Sequence, residues 1–122
     1  MKALLIIAAI SGFLTVGLGA FGAHGLEGRL TEKAIATWEK AVLYQMFHTL
    51  ALIGIALLLQ KIQAGSLMTA GGFFIAGILL FSGTLYIYAV SGITVFALIT
   101  PVGGVAFLIG WALLGYSAIK YL

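Results

Sequence analysis

The 122-residue chain is 63% hydrophobic, only 7% charged and free of cysteine, with a mean hydropathy of +1.24. A small soluble domain exposes much of its surface and needs roughly 25% charged residues to cover it, so a water-soluble fold is excluded and lipid is left as the solvent. Six basic residues against three acidic ones give a net charge of +3; they form no basic cluster, which excludes nucleic acid as a partner, and the missing cysteines exclude disulfides and thiol chemistry.

About 20 residues of helix cross the roughly 30 Å of hydrocarbon in a bilayer. Four uncharged stretches have that length, at 3–23, 41–59, 67–90 and 101–119. The fold class they predict is all-α, a single domain forming an integral-membrane four-helix transmembrane bundle. Lys2 ahead of the first apolar run also fits a cleaved secretion signal. That run is longer than the apolar part of a signal, and its glycines continue past any obvious cleavage point, so we read it as a span.

Most of the charge lies between spans one and two. Thr31 followed by Glu32 suits a helix start, with the acid near the positive end of the helix dipole. Ile35, Trp38 and Val42 then fall on one side, and Glu32, Lys33 and Lys40 largely on another. This pattern predicts an amphipathic interfacial helix with Trp38 at headgroup depth, separate from span two or continuous with it.

After Lys61 no charge appears until Lys120, a run that needs two more spans. Ser91-Gly92 suits the turn between them. Residues 93–99 read as an apolar linker at the interface, and Thr100-Pro101 as an N-cap followed by proline at the first helical position. Tyr116 and Tyr121 fit an interfacial aromatic belt, and Trp111 fits a bundle gap beside Gly110.

Four spans put both termini on one side of the membrane. The basic residues are nearly balanced across it, and we expect the termini in the cytoplasm. No internal repeat of the kind that builds inverted-repeat transporters is visible.

Seventeen glycines recur through the chain. Gly12, Gly19 and Gly22 in span one, and Gly103, Gly104 and Gly110 in span four, are the candidate packing positions. Helices in lipid gain little from apolar burial against one another, so close backbone approach at small residues takes over as the driving force. Packing within one bundle is the leading reading, and a homo-oligomer or larger membrane complex is the alternative.

No charge falls at a predicted span centre, which argues against an ion-coupled transporter or a carboxylate-based enzyme. The candidate polar residues are His24, Tyr44, Gln45, His48, Ser82, Thr84, Tyr86 and Thr100. Tyr44, Gln45 and His48 occupy neighbouring positions on one side of a helix. With His24 and Tyr86 they predict a polar cluster inside one end of the bundle. The leading reading is structural, hydrogen bonds between helices. Behind it come a site for a small molecule, lipid headgroup or proton-linked switch, and then bis-histidine haem or metal ligation. A serine hydrolase is disfavoured, because there is no nucleophile elbow and no aspartate. No cofactor or metal is expected; membrane lipid is the expected partner.

Four segments carry a family resemblance: Gly19-Ala20-Phe21-Gly22-Ala23-His24-Gly25-Leu26, Tyr44-Gln45-Met46-Phe47-His48, Phe81-Ser82-Gly83-Thr84-Leu85-Tyr86, and Thr100-Pro101-Val102-Gly103-Gly104 with Gly110-Trp111. In that order they resemble the small bacterial inner-membrane proteins of the YgdD/YwdK type, a domain of unknown function with eukaryotic relatives. Thr84 stands where the pattern suggests serine, and Lys40 makes the entry to span two unusually basic. The resemblance implies a four-span protein of the bacterial cytoplasmic membrane in which both histidines belong to the pattern. It brings no activity, cofactor or catalytic residue. A non-enzymatic packing, lipid-interacting or accessory subunit is therefore the expected function, with small-ligand binding or transport as the alternative.

Overall fold

The computed structural model describes residues 2–122, and among these there is helix but no strand. Helix α1 covers Lys2–His24 and α2 Glu32–Leu59. The third span is composite: α3 over Gly65–Gly77, a π-helical stretch over Ile78–Gly83, and α4 over Thr84–Ser91. Helix α5 covers Thr94–Tyr121. Four units, Lys2–His24, Glu32–Leu59, Gly65–Ser91 and Thr94–Tyr121, are long and apolar enough to cross a membrane. The connectors are short, so successive spans run antiparallel.

The third span is the hub. It packs along α5 on one side and against α2 on another, while α1 lies along α2. Toward the end that carries the termini, Leu4, Ala8, Leu52, Ile55, Phe74 and Phe107 form the main apolar core. A smaller cluster of Leu26, Trp38 and Ala89 ties the first loop to α2 and α4 at the opposite end.

The amphipathic segment is no separate helix. Thr31 caps α2, its hydroxyl accepting the Ala34 N–H at 3.1 Å, and the helix then runs unbroken to Leu59. At 1.5 Å per residue it is about 42 Å long, roughly 12 Å more than the hydrocarbon needs. The charged first turns are thus the interfacial end of span two. Trp38 is buried rather than lying in the headgroups. Its indole N–H donates to the Leu18 carbonyl at 2.8 Å, and its ring sits edge-on to Tyr86 at 4.7 Å. Gly22 makes this possible, since a Cβ there would run into the indole.

The predicted start of span four also needs correction. Helix α5 begins at Thr94, seven residues before Pro101, which lies inside it. An apolar, irregular linker would leave backbone groups unpaired near hydrocarbon, whereas a continued helix pairs nearly all of them. Proline removes one N–H from that ladder. Thr100, expected as a cap, instead donates back to the Phe96 carbonyl at 3.0 Å.

The π-helical stretch was not foreseen. Its shifted pairing disturbs the carbonyl ladder, and Thr84 answers this by reaching back to the Leu80 carbonyl at 2.7 Å. Thr84 and Thr100 also meet at 2.7 Å, so the irregular turn of span three is pinned beside the proline turn of α5. Gly103 faces the same turn so closely that a Cβ would collide with the Leu80–Phe81 backbone. Gly110 and Gly77 likewise accommodate the rings of Phe74 and Phe107. Gly12, Gly19 and Gly104 are different: a Cβ there would make ordinary contacts at 3.7, 3.4 and 3.8 Å.

Candidate functional site

Two separate polar assemblies lie on neighbouring faces of α2. The first is built on Gln45. Its amide NH2 donates to the backbone carbonyl and hydroxyl of Ser11, both at 3.2 Å, and its carbonyl oxygen accepts the Tyr86 hydroxyl at 2.6 Å. Ser11 and Thr49 share a hydroxyl bond at 2.7 Å, and Thr15 donates to the Ser11 carbonyl at 2.7 Å. One glutamine therefore joins α1, α2 and α4. Gln45 is 4% exposed and Thr49 3%, so the network is buried.

The second assembly is built on His48, just past the midpoint of α2. Its Nδ1 lies 2.8 Å from the Tyr44 carbonyl, an atom that only accepts, so Nδ1 carries the proton. Nε2 is then free to accept, and the Trp111 indole N–H donates to it at 3.0 Å. The imidazole stacks on Phe107 with centroids 3.5 Å apart and planes within 9°, and Phe74 meets it edge-on at 5.3 Å. Both ring nitrogens are spent on bonds inside the protein.

The expected single cluster is thus divided. Gln45 and His48 are three residues apart, about 60° around the helix. Because α2 has neighbours on several sides, that angle sends Gln45 toward α1 and α4 and His48 toward α5. Tyr44 lies beside His48 and packs on Phe81 at 4.5 Å. His24 joins neither group; it is exposed at the end of α1. The Trp38–Leu18 bond fixes the register of α1 on α2, and His48 lies about 24 Å along the axis from the level of His24. The two histidines therefore do not converge on a haem or metal, and among the described residues no group of three or more His, Cys, Asp or Glu could hold an ion.

Ser82 donates to the Ala41 carbonyl at 2.8 Å and so joins span three to α2. Thr84 and Thr100 belong to the irregular turn described above. Sequence reasoning missed Ser11, Thr49, Phe107 and the role of Trp111. For Thr49 a signal existed, since it follows Gln45 by four residues and so shares its helix face; the Trp111–His48 bond joins residues 63 positions apart and left no local trace.

Between α2 and α5 lies a groove of about 680 Å³, open to the surroundings, whose walls include Tyr44, Phe47, Phe81, Phe107, Leu108 and Trp111. A smaller one of about 340 Å³ separates α1 from span three; Ser11, Gln45 and Tyr86 line it among mainly apolar residues. No buried side-chain nitrogen or oxygen lacks a hydrogen-bond partner among the described residues.

Comparison with known proteins agrees with this architecture. A family described as "Protein of unknown function (DUF423)" matches residues 18–104. The UPF0382 membrane protein YwdK of Bacillus subtilis is 50% identical over the whole of both chains. The UPF0382 inner membrane protein YgdD of Escherichia coli is 44% identical over 96% of this chain and 89% of its own. A UPF0382 membrane protein of Staphylococcus epidermidis is 43% identical over 99% and 98%. No solved structure matches the chain. Full-length identity at this level, with four apolar helices in place, shows that this chain belongs to the DUF423 family of small multi-pass membrane proteins.

Proposed function

We propose that the protein is a non-enzymatic, lipid-interacting or accessory membrane subunit that acts through the shape of its lipid-facing surface. One observation supports this most: the interior polar side chains are committed to one another, while the grooves are apolar. Ser11, Ser82 and Ser117 all hold hydrogen bonds to neighbouring helices or to their own, and His48 engages an indole and a backbone carbonyl. Among the described residues no hydroxyl is hydrogen-bonded to a histidine in the way nucleophilic catalysis requires. A ligand or transport site made from His24, Gln45, His48 and Tyr86 together has less support, because these residues face three different directions.

Extraction in mild detergent followed by native mass measurement tests the proposal. Retained phospholipid, or a stably associated second membrane protein, is the expected result. A strictly monomeric species carrying neither would contradict it.

A further inference from the structure

We propose that the face of α2 running from Lys33 to His48, together with α5, binds one anionic glycerophospholipid. Its phosphate is held by Arg29, Lys33 and Lys40, and one acyl chain lies in the α2/α5 groove. This deepens the lipid-interacting reading above and rests on it.

The placement follows from helical spacing. Lys33, Lys40 and Phe47 are seven residues apart, and Tyr44 follows Lys40 by four, so all four share one face. That is the face on which Tyr44, Phe47 and His48 wall the large groove. Glu32 and Glu39 each precede one of these lysines by one residue, which turns them about 100° away. Glu27 lies in the exposed first loop. Three basic and three acidic residues lie on this side of the membrane, so net charge does not single it out. What does is their segregation, which places cations above the groove and acids off to one side.

A second depression, of about 370 Å³, lies between the first loop, the start of α2 and the end of α4. Arg29, Lys33 and Thr37 meet the end of α4 there, at Ser91 and Gly92. The first loop is held in place for this. Gly28 turns it at φ +80°, Leu26 is buried against Trp38 and Ala89, and the Arg29 N–H donates to the Leu26 carbonyl at 3.0 Å. Lys33 lines this hollow and shares its helix face with Lys40, Tyr44 and Phe47, which leads from the hollow toward the groove.

Depth fits as well. From Lys40 to Tyr44 is about 6 Å along the helix, comparable to the roughly 5–8 Å of headgroup layer on each side of the hydrocarbon. Tyr44 is therefore level with the glycerol esters when Lys40 is level with the phosphates, and a half-exposed tyrosine suits that boundary. Phe47, Phe107 and Trp111 lie deeper, where a methylene chain runs. A second transmembrane helix filling the groove would have no use for the lysines above it.

Trp111 reports on occupancy, because brominated acyl chains quench indole fluorescence on contact. The Trp38→Phe variant leaves Trp111 as the sole tryptophan. It is reconstituted into phosphatidylcholine vesicles containing small fractions of phosphatidylglycerol brominated at mid-chain, or of equally brominated phosphatidylcholine. Each basic group near an anionic lipid favours it by about fivefold. Half-maximal quenching is accordingly expected at a mole fraction at least about fivefold lower for phosphatidylglycerol. Arg29→Gln combined with Lys33→Gln and Lys40→Gln should bring the two lipids to parity. Gly104→Leu, which fills the groove where a Cβ meets only an ordinary contact with Phe81 at 3.8 Å, should weaken quenching by both. Native mass measurement of the unsubstituted protein, expected to retain phosphatidylglycerol over phosphatidylcholine, covers a folding defect in the tryptophan variant. Equal quenching by both lipids overturns the anionic site and leaves a lipid-contacting surface standing. Weak quenching by both, with a dimeric mass and no retained lipid, means that a second copy fills the groove, and overturns the lipid reading altogether.

Discussion

Gln45 shows how a single neutral side chain can organise a membrane bundle. In hydrocarbon an unpaired amide has no water to turn to, so its donors and acceptor must find partners on other helices. It takes Ser11 on α1 and Tyr86 on α4. Gln45→Ala should therefore lower unfolding stability in detergent by about 1–3 kcal/mol, because the Tyr86 hydroxyl is left unpaired. Trp111→Phe, which removes one bond and leaves the His48 lone pair free, should cost less, about 0.6–1.7 kcal/mol. His24→Ala should stay within about 0.5 kcal/mol, since the ring is exposed and touches neither assembly. Equilibrium unfolding monitored by circular dichroism separates these three outcomes. The residue types were legible in the sequence, and so was the importance of Gln45 and His48. Their separation was not, because 60° around a helix means one interface or two depending on how many neighbours that helix has.

At the level of elements, hydropathy located all four spans, since crossing hydrocarbon demands long uncharged helices and little else, but α2 starts nine residues and α5 seven residues before the uncharged stretches. Two boundaries were not readable. Thr100-Pro101 carries the local signature of a helix start, yet the chain is already helical from Thr94. A proline's missing N–H is cheaper near hydrocarbon than a seven-residue irregular linker. The π-helical stretch left no sequence mark that distinguishes it from ordinary helix, and its cause is tertiary: the hydroxyls of Thr84 and Thr100 meet there, and Gly103 brings α5 onto the Phe81 backbone. Gly103→Ala should consequently destabilise the protein by about 1–3 kcal/mol, because the backbone it strikes cannot rotate away. Gly115→Ala, at a position with open space around it, should be neutral or stabilising by up to about 1 kcal/mol, as alanine is the better helix former. Thermal unfolding of the two variants side by side checks the contrast. Glycine content alone could not sort these positions; only the facing atoms do.

Considered whole, the molecule spends its polar groups inward and its apolar groups outward. Charge is confined to the membrane faces, with Lys2, Lys61 and Lys120 on one side and Arg29, Lys33 and Lys40 on the other. Three basic residues on each side leave the charge balanced, and cytoplasmic termini are the orientation we propose. The native chain has no cysteine, so single cysteines report cleanly. Lys2→Cys and Lys120→Cys should react from the cytoplasmic side, and Arg29→Cys from the opposite one, with an impermeant maleimide.

The most direct test of a dry, structural interior is the reactivity of Ser11→Cys, a near-isosteric change at the centre of the Gln45 network. Thiols react with charged thiosulfonate reagents as thiolates, and a thiolate forms only where water reaches. Folded protein in sealed vesicles should leave this cysteine unmodified from either side, while Arg29→Cys reacts readily. Rapid modification of Ser11→Cys in the same vesicles would reveal a water-filled path to Gln45 and contradict the account.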